Sequence, residues 1–94
     1  MKALRDRILA EFKRLGISPQ ESRVYLSLLE EDDITGYQLS KNAGIHSSKI
    51  YPLLKRLLER GFIVAADTQP VKYFPCAPED ILGKIRKGFD ASVN

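Results

Sequence analysis

Residues 35–60 read TGYQLSKNAGIHSSKIYPLLKRLLER, and this stretch determines the fold. Its first four residues have the spacing of a capping box, which predicts the start of a helix. That helix should be short and end near Asn42, because Gly44 permits a tight turn directly after it. A longer helical pattern, Ser47–Arg60, follows and ends before Gly61. Two helices joined by a glycine-containing turn are the outline of a helix-turn-helix.

The longer helix, Ser47–Arg60, has two chemically different faces. At about 100° per residue, its apolar side chains fall within one arc that should face the core: Ile50, Leu53, Leu54 and Leu57. Lys49 and Arg56 flank the opposite arc, whose members are Ser48, Tyr51, Pro52, Lys55 and Glu59. Hydroxyls, an aromatic ring and a lysine can hydrogen-bond base edges and phosphates, and free N–H groups at a helix start also bind phosphate. This outer face is a candidate DNA-binding surface, and an ordinary solvated face is the alternative.

Two more helices are predicted before this motif. Leu4–Leu15 carries an apolar stripe at helical spacing, and Gly16 ends it. The next helix starts at Ser18, with Pro19 at its first position, and its inward residues are Val24, Tyr25, Leu28 and Leu29. In the short helix after it, the apolar positions are Tyr37, Leu39 and Ala43.

The periodicity changes after Gly61. Two β-rich runs, Phe62–Ala66 and Val71–Phe74, flank a turn and predict a two-stranded hairpin. Lys72 is the single basic residue of that hairpin, so we expect at best a weak phosphate contact from it. A last helix opens at Pro78, and its apolar side consists of Ile81, Leu82, Ile85 and Phe89.

Composition limits the class of protein. The chain has 94 residues, the size of one small domain, with 44% hydrophobic and 29% charged residues, a balance typical of soluble globular proteins. No apolar run reaches the ~18 residues of a membrane span, and the first residues lead into charge and not into a signal sequence. One cysteine cannot form an internal disulfide. These features argue against membrane, secreted and disulfide-stabilised classes and favour a cytoplasmic protein.

The positive charge is concentrated in the middle of the chain. Residues 34–76 hold six Lys or Arg and two Asp or Glu, whereas residues 1–33 carry a net charge of −1 and residues 77–94 are neutral. A basic excess gathered in one segment favours a polyanionic partner such as double-stranded DNA. A solvated surface without a partner is the alternative on charge alone.

Catalytic and metal-binding chemistry finds little support in the sequence. His46 has no second His or Cys at metal-ligand spacing, so we expect it in a turn or at a phosphate. Cys76 should pack at the end of a strand, and the acidic run Glu30–Asp33 lacks the spacing of an acid–base pair. We therefore predict no enzyme activity, no cofactor and no metal.

Three segments together resemble the DNA-binding domain of TrmB-like transcriptional regulators: GISPQESRVYLSLLE (16–30), ITGYQLSKNAGIHSSKIYPLLKRLLERGFI (34–63) and VKYFPCAPEDIL (71–82). The order and spacing of these segments are more specific than any one of them alone. The stretch KIYPLLKRLLERGFI (49–63) is also similar to PadR-like regulators. Both families are winged helix-turn-helix proteins of bacteria and archaea.

The resemblance implies a mostly α-helical fold with a small β-hairpin, the winged helix-turn-helix. It implies that the helix Ser47–Arg60 enters the major groove and that the hairpin Phe62–Phe74 is the wing. The candidate DNA contacts are Ser47, Ser48, Lys49, Tyr51 and Lys55, with Arg56 and Lys72 added as nearby cations.

One domain over residues 1–94 should comprise an N-terminal helix (1–15), a winged-helix core (16–76) and a C-terminal helix (77–94). TrmB-like proteins usually continue into a coiled coil and a sugar-binding effector domain. We therefore expect either a stand-alone regulator or the N-terminal part of a longer one, in which residues 77–94 dimerise or lead into the next domain.

The function we expect is transcription regulation in a prokaryote, by sequence-specific binding of double-stranded DNA. A homodimer fits this function, because two recognition helices about 34 Å apart are needed to read a palindrome. The stripes Leu4–Leu15 and Ile81–Phe89 are the candidate dimer surfaces, with packing inside one chain as the alternative. A winged-helix module that binds protein and not DNA is the alternative function.

Overall fold

The structure, a computed structural model, describes the backbone of residues 2–93 and the side chains of residues 2–85. Its elements in chain order are α1 (Lys2–Arg14), α2 (Pro19–Glu30), β1 (Ile34–Thr35), α3 (Gly36–Ala43), α4 (Ser47–Arg60), β2 (Ile63–Ala66), β3 (Lys72–Pro75) and α5 (Pro78–Val93). A helix, a short strand, two helices and a hairpin in this order form a winged helix-turn-helix, which confirms the predicted fold class.

Local capping interactions set the predicted helix boundaries. The Ser18 hydroxyl accepts the backbone N–H of Glu21 at 3.1 Å, with Pro19 at the first position of α2. At the start of α3, the Thr35 hydroxyl accepts the N–H of Gln38 at 3.2 Å, and the Gln38 side chain accepts the N–H of Thr35 at 3.0 Å. Both halves of the capping box are therefore present.

Left-handed glycines end the two helices of the helix-turn-helix. Gly44 follows α3 with φ of 67°, and Gly61 follows α4 with φ of 77°. Residues with a Cβ rarely adopt this conformation, so the turn between the helices and the exit toward the hairpin both depend on glycine.

The core forms where α4 meets the other helices and the sheet. The apolar arc of α4 is buried as predicted: Ile50, Leu53, Leu54 and Leu57. From α1, the Phe12 ring stacks on Phe62 at a centroid distance of 5.1 Å and contacts Tyr25 of α2 at 5.6 Å. The Tyr25 hydroxyl donates to the Cys76 carbonyl at 2.7 Å, which ties α2 to the end of β3.

Three apolar positions differ from the prediction. Leu15 is 44% exposed because α1 ends at Arg14, so Leu15 no longer follows the helical stripe. Leu29 is only partly buried at the edge of the core. Tyr37 is 55% exposed, because the buried face of α3 is formed by other residues, Gly36, Leu39, Ser40 and Ala43.

The sheet has three strands, one more than the predicted hairpin. Its order is β1-β3-β2, and all pairings are antiparallel. Ile34 pairs with Tyr73 on one side of β3, and Ala65 pairs with Tyr73 on the other. Before β1, Asp33 adopts a positive φ of 59° and donates its N–H to the Tyr73 carbonyl at 3.0 Å. The prediction missed β1 because two residues carry no periodicity of their own.

The C-terminal helix α5 contacts α1 and reaches the residue that follows α4. Ile81 is buried, and Leu82 and Ile85 are partly buried, whereas the side chain of Phe89 lies outside the described residues. The Lys84 ammonium donates to the Gly61 carbonyl at 2.6 Å, and the Cys76 thiol donates to the same oxygen at 3.3 Å. Over the described backbone, no helix is long and apolar enough to cross a membrane.

Candidate nucleic-acid interface

A histidine forms the N-cap of α4. The Nδ1 atom of His46 accepts the backbone N–H of Ser48 at 3.1 Å and lies 2.8 Å from the Ser48 hydroxyl. The His46 ring thus satisfies one of the backbone N–H groups that the first turn of a helix leaves without an intrahelical partner. His46 was expected in a turn or at a phosphate, and from the turn before α4 its ring contacts the exposed hydroxyl of Ser48.

The outer face of α4 brings most of the candidate DNA contacts together. The exposed side chains on its first turns are Ser47, Ser48, Lys49, Tyr51, Pro52 and Lys55. The helix continues through Pro52 to Arg60 without interruption, because a proline near the first turn removes a hydrogen bond only to Ser48. The result is a continuous surface of hydroxyls, a phenol ring and two ammonium groups.

Arg56 lies on the flank of α4 that faces α2. Its guanidinium Nη1 is 3.9 Å from Oε1 of Glu21, and Arg60 Nε donates to Oε2 of the same carboxylate at 3.1 Å. The Glu21 side chain is only 3% exposed, so these arginines supply the positive charge that a buried carboxylate needs. Arg56 therefore lies close to a carboxylate of α2 while its side chain remains exposed to solvent.

Lys72 is carried by the wing and not by α4. It stands on β3, paired with Thr35, and its ammonium lies 3.9 Å from the Asp33 carboxylate. A neighbouring carboxylate offsets part of the attraction between a lysine and a phosphate. The structure thus brings Ser47, Ser48, Lys49, Tyr51 and Lys55 together and places Arg56 and Lys72 beside carboxylates of other elements.

Helix α3 carries a cation–aromatic pair that was not predicted from the sequence. The Lys41 ammonium lies 4.7 Å from the centroid of the Tyr37 ring, and both side chains are exposed. Residues four positions apart are neighbours on a helix surface, so this i,i+4 spacing was the signal that could have revealed the pair. Tyr37 and Lys41 extend the polar and aromatic surface onto α3.

The Tyr51 ring lies against the start of α3. A Cβ placed on Gly36 would lie 2.7 Å from Cε1 of Tyr51, so the ring rests directly on the backbone where α3 begins. Burial raises the pKa of the Tyr73 hydroxyl above its usual range, and the nearby Tyr51 raises it further. Tyr51 thus joins the outer face of α4 to the backbone of α3.

Comparison with known proteins identifies the family. A family model described as sugar-specific transcriptional regulator TrmB matches residues 12–79. The chain is 32% identical over 83 residues to the uncharacterized protein YrhO of Bacillus subtilis, covering 88% of this chain and 30% of that protein. It is 33% identical over 90 residues to the HTH-type sugar sensing transcriptional regulator TrmBL1 of Pyrococcus furiosus, covering 96% of this chain and 26% of that protein.

The fold has a close structural match. The structure is similar to that of TrmBL2, described as an archaeal chromatin protein with a novel mode of DNA binding, with a TM-score of 0.82 and 22% identity. The match covers 95% of this chain and 35% of TrmBL2, and the chain spans less than a third of YrhO or TrmBL1. With the family model matching most of the winged helix-turn-helix, the chain belongs to the TrmB family of DNA-binding transcriptional regulators.

Proposed function

We propose that this chain binds double-stranded DNA sequence-specifically, as a prokaryotic transcription regulator in the cytoplasm, with α4 in the major groove. The observation that carries the proposal is the exposed outer face of α4, which holds the hydroxyls, ring and ammonium groups used in base and phosphate contacts. The buried arc on the other side of the same helix fixes that face on a rigid core.

The candidate contacts divide by chemistry. Lys49 and Lys55 carry full charges that suit phosphate oxygens, while the hydroxyls of Ser47, Ser48 and Tyr51 can donate or accept at base edges. Arg56 and Lys72 are secondary phosphate contacts, because the carboxylates of Glu21 and Asp33 lie beside them.

A homodimer is part of the proposal. The groove between α1 and α2 is lined by the half-buried Leu4, Leu26 and Leu29, and the Arg5 guanidinium bridges to Glu30 across its rim at 2.7 Å. Apolar side chains bordered by both signs of charge suit a two-fold interface, which must be complementary to itself. Sedimentation equilibrium at micromolar concentration should give twice the chain mass of 10.6 kDa, and the mass of a single chain would contradict the dimer.

The test of DNA binding is a salt titration of fluorescence anisotropy with a labelled duplex, from roughly 50 to 200 mM. The affinity should fall steeply with salt, because each phosphate contact releases condensed counterions. Lys55→Ala should weaken binding about tenfold at 100 mM salt and make the slope of log K against log salt shallower by about 0.9. Lys13→Ala is the matched control, because Lys13 is an exposed lysine on α1.

Two results would count against this proposal. Equal losses in the Lys55 and Lys13 variants would mean that overall charge, and not the face of α4, attracts the duplex. A folded protein that binds no duplex at 50 mM salt would favour the alternative, a winged-helix module for protein partners.

A further inference from the structure

We propose that Gly36 is a positioning residue for DNA recognition, because the absence of its side chain seats the ring of Tyr51 at the junction of α3 and α4. The inference rests on the proposed function, in which Tyr51 belongs to the DNA-contacting face. Gly36 is the first residue of α3 and is buried, while Tyr51 is 54% exposed on the first turns of α4.

The contact involves one edge of the ring. A Cβ on Gly36 would lie 2.7 Å from Cε1, 3.0 Å from Cζ and 3.1 Å from the hydroxyl oxygen of Tyr51. Non-bonded carbon atoms prefer separations of about 3.5–4.0 Å. The ring therefore occupies the volume that any side chain at position 36 would need.

The backbone at position 36 does not itself require glycine. Gly36 does not have a positive φ, whereas Gly44 and Gly61 end their helices in the left-handed region. A residue with a Cβ could therefore adopt the backbone conformation of this position without the strain of the left-handed region. The ring of Tyr51 occupies the space that a side chain at position 36 would need.

A side chain at position 36 would displace an exposed group on the surface and would leave the core in place. The Tyr51 ring is half-exposed and ends a flexible side chain, so a methyl group at position 36 would push the ring outward, into the space facing the groove. The Tyr51 ring would then lose its position against the backbone of α3. Preorganisation of this kind reduces the ordering cost of binding, and its loss should weaken duplex binding about three- to tenfold.

A double-mutant cycle tests the inference. Gly36→Ala, Tyr51→Ala and the combined variant are titrated with the same labelled duplex, and thermal unfolding checks that each is folded. Gly36→Ala should weaken binding about three- to tenfold in the wild-type background, and should have no further effect when Tyr51 is already alanine. Gly83→Ala in α5 is the matched control, because a Cβ there meets no atom within 4 Å.

An NMR measurement without DNA examines the contact itself. Nuclear Overhauser peaks between the Gly36 α-protons and the Tyr51 ring protons should be present in the wild type, and their absence would overturn the inference. Unchanged affinity in Gly36→Ala, or an equal loss in the Tyr51→Ala background, would overturn it while leaving the proposed function intact. A wild type that shows the NMR contact but binds no duplex would overturn both.

Discussion

Helix α4 and the wing, residues 63–75, differ in which side chains they bury and which they expose. Helix α4 buries four aliphatic side chains on one side and presents Lys49, Tyr51 and Lys55 on the other. The wing exposes the apolar side chains of Val64 and Val71, and its single lysine stands beside Asp33. Helix α4 therefore combines core packing with the candidate DNA-contacting face, whereas the wing adds Ile63 and Tyr73 to the core and leaves apolar side chains exposed.

The largest expected effect is on the free energy of unfolding, and it compares a buried residue of α4 with an exposed residue of the wing. Leu54→Ala removes a side chain that is 1% exposed, so the free energy of unfolding should fall by about 2–5 kcal/mol. Val64→Ala changes a side chain that is 51% exposed and should alter it by less than about 0.5 kcal/mol. Urea denaturation followed by circular dichroism measures both values. Comparable destabilisation by the two variants would show that Val64 contributes to stability as much as Leu54 does, which its 51% exposure contradicts.

The same contrast explains how much of the fold the sequence could predict. The starts of α2 and α3 follow from capping residues, and the ends of α3 and α4 follow from glycines. Such local signals are readable without tertiary structure. Strand β1 depends on pairing Ile34 with Tyr73, which stand far apart in the chain. Tyr37 looked apolar from its residue type, but the buried face of α3 runs through Gly36 and Leu39 instead.

The candidate site shows a similar limit. The polar arc of α4 was visible because helical periodicity sorts its residues by face. The contacts of those residues with other elements were not visible: Arg56 with Glu21 of α2, and Tyr51 with Gly36 of α3. Periodicity assigns a residue to a face of its own helix, while packing decides which neighbour that face meets.

A smaller effect is expected when the lysine of the wing is removed. Lys72→Ala should weaken duplex binding by less than about threefold at 100 mM salt, compared with about tenfold for Lys55→Ala. The reason is the Asp33 carboxylate 3.9 Å from the Lys72 ammonium, which already offsets part of its charge. The anisotropy titration that tests Lys55 gives the comparison directly. Equal losses of duplex affinity in the two variants would mean that the two lysines contribute equally to DNA binding.

The smallest expected effect comes from the carboxylate beside that lysine. Asp33→Asn keeps a residue that tolerates the positive φ of 59° and removes the negative charge next to Lys72. Duplex affinity at 50 mM salt should rise by about twofold, because an exposed ion pair is worth less than about 1 kcal/mol and is screened further by salt. In the Lys72→Ala background the same substitution should raise affinity less, since the lysine it releases is gone. An equal rise of affinity in both backgrounds would mean that Asp33 repels the phosphates directly. The weak DNA contact of this region would then come from the Asp33 charge itself and not from neutralisation of Lys72.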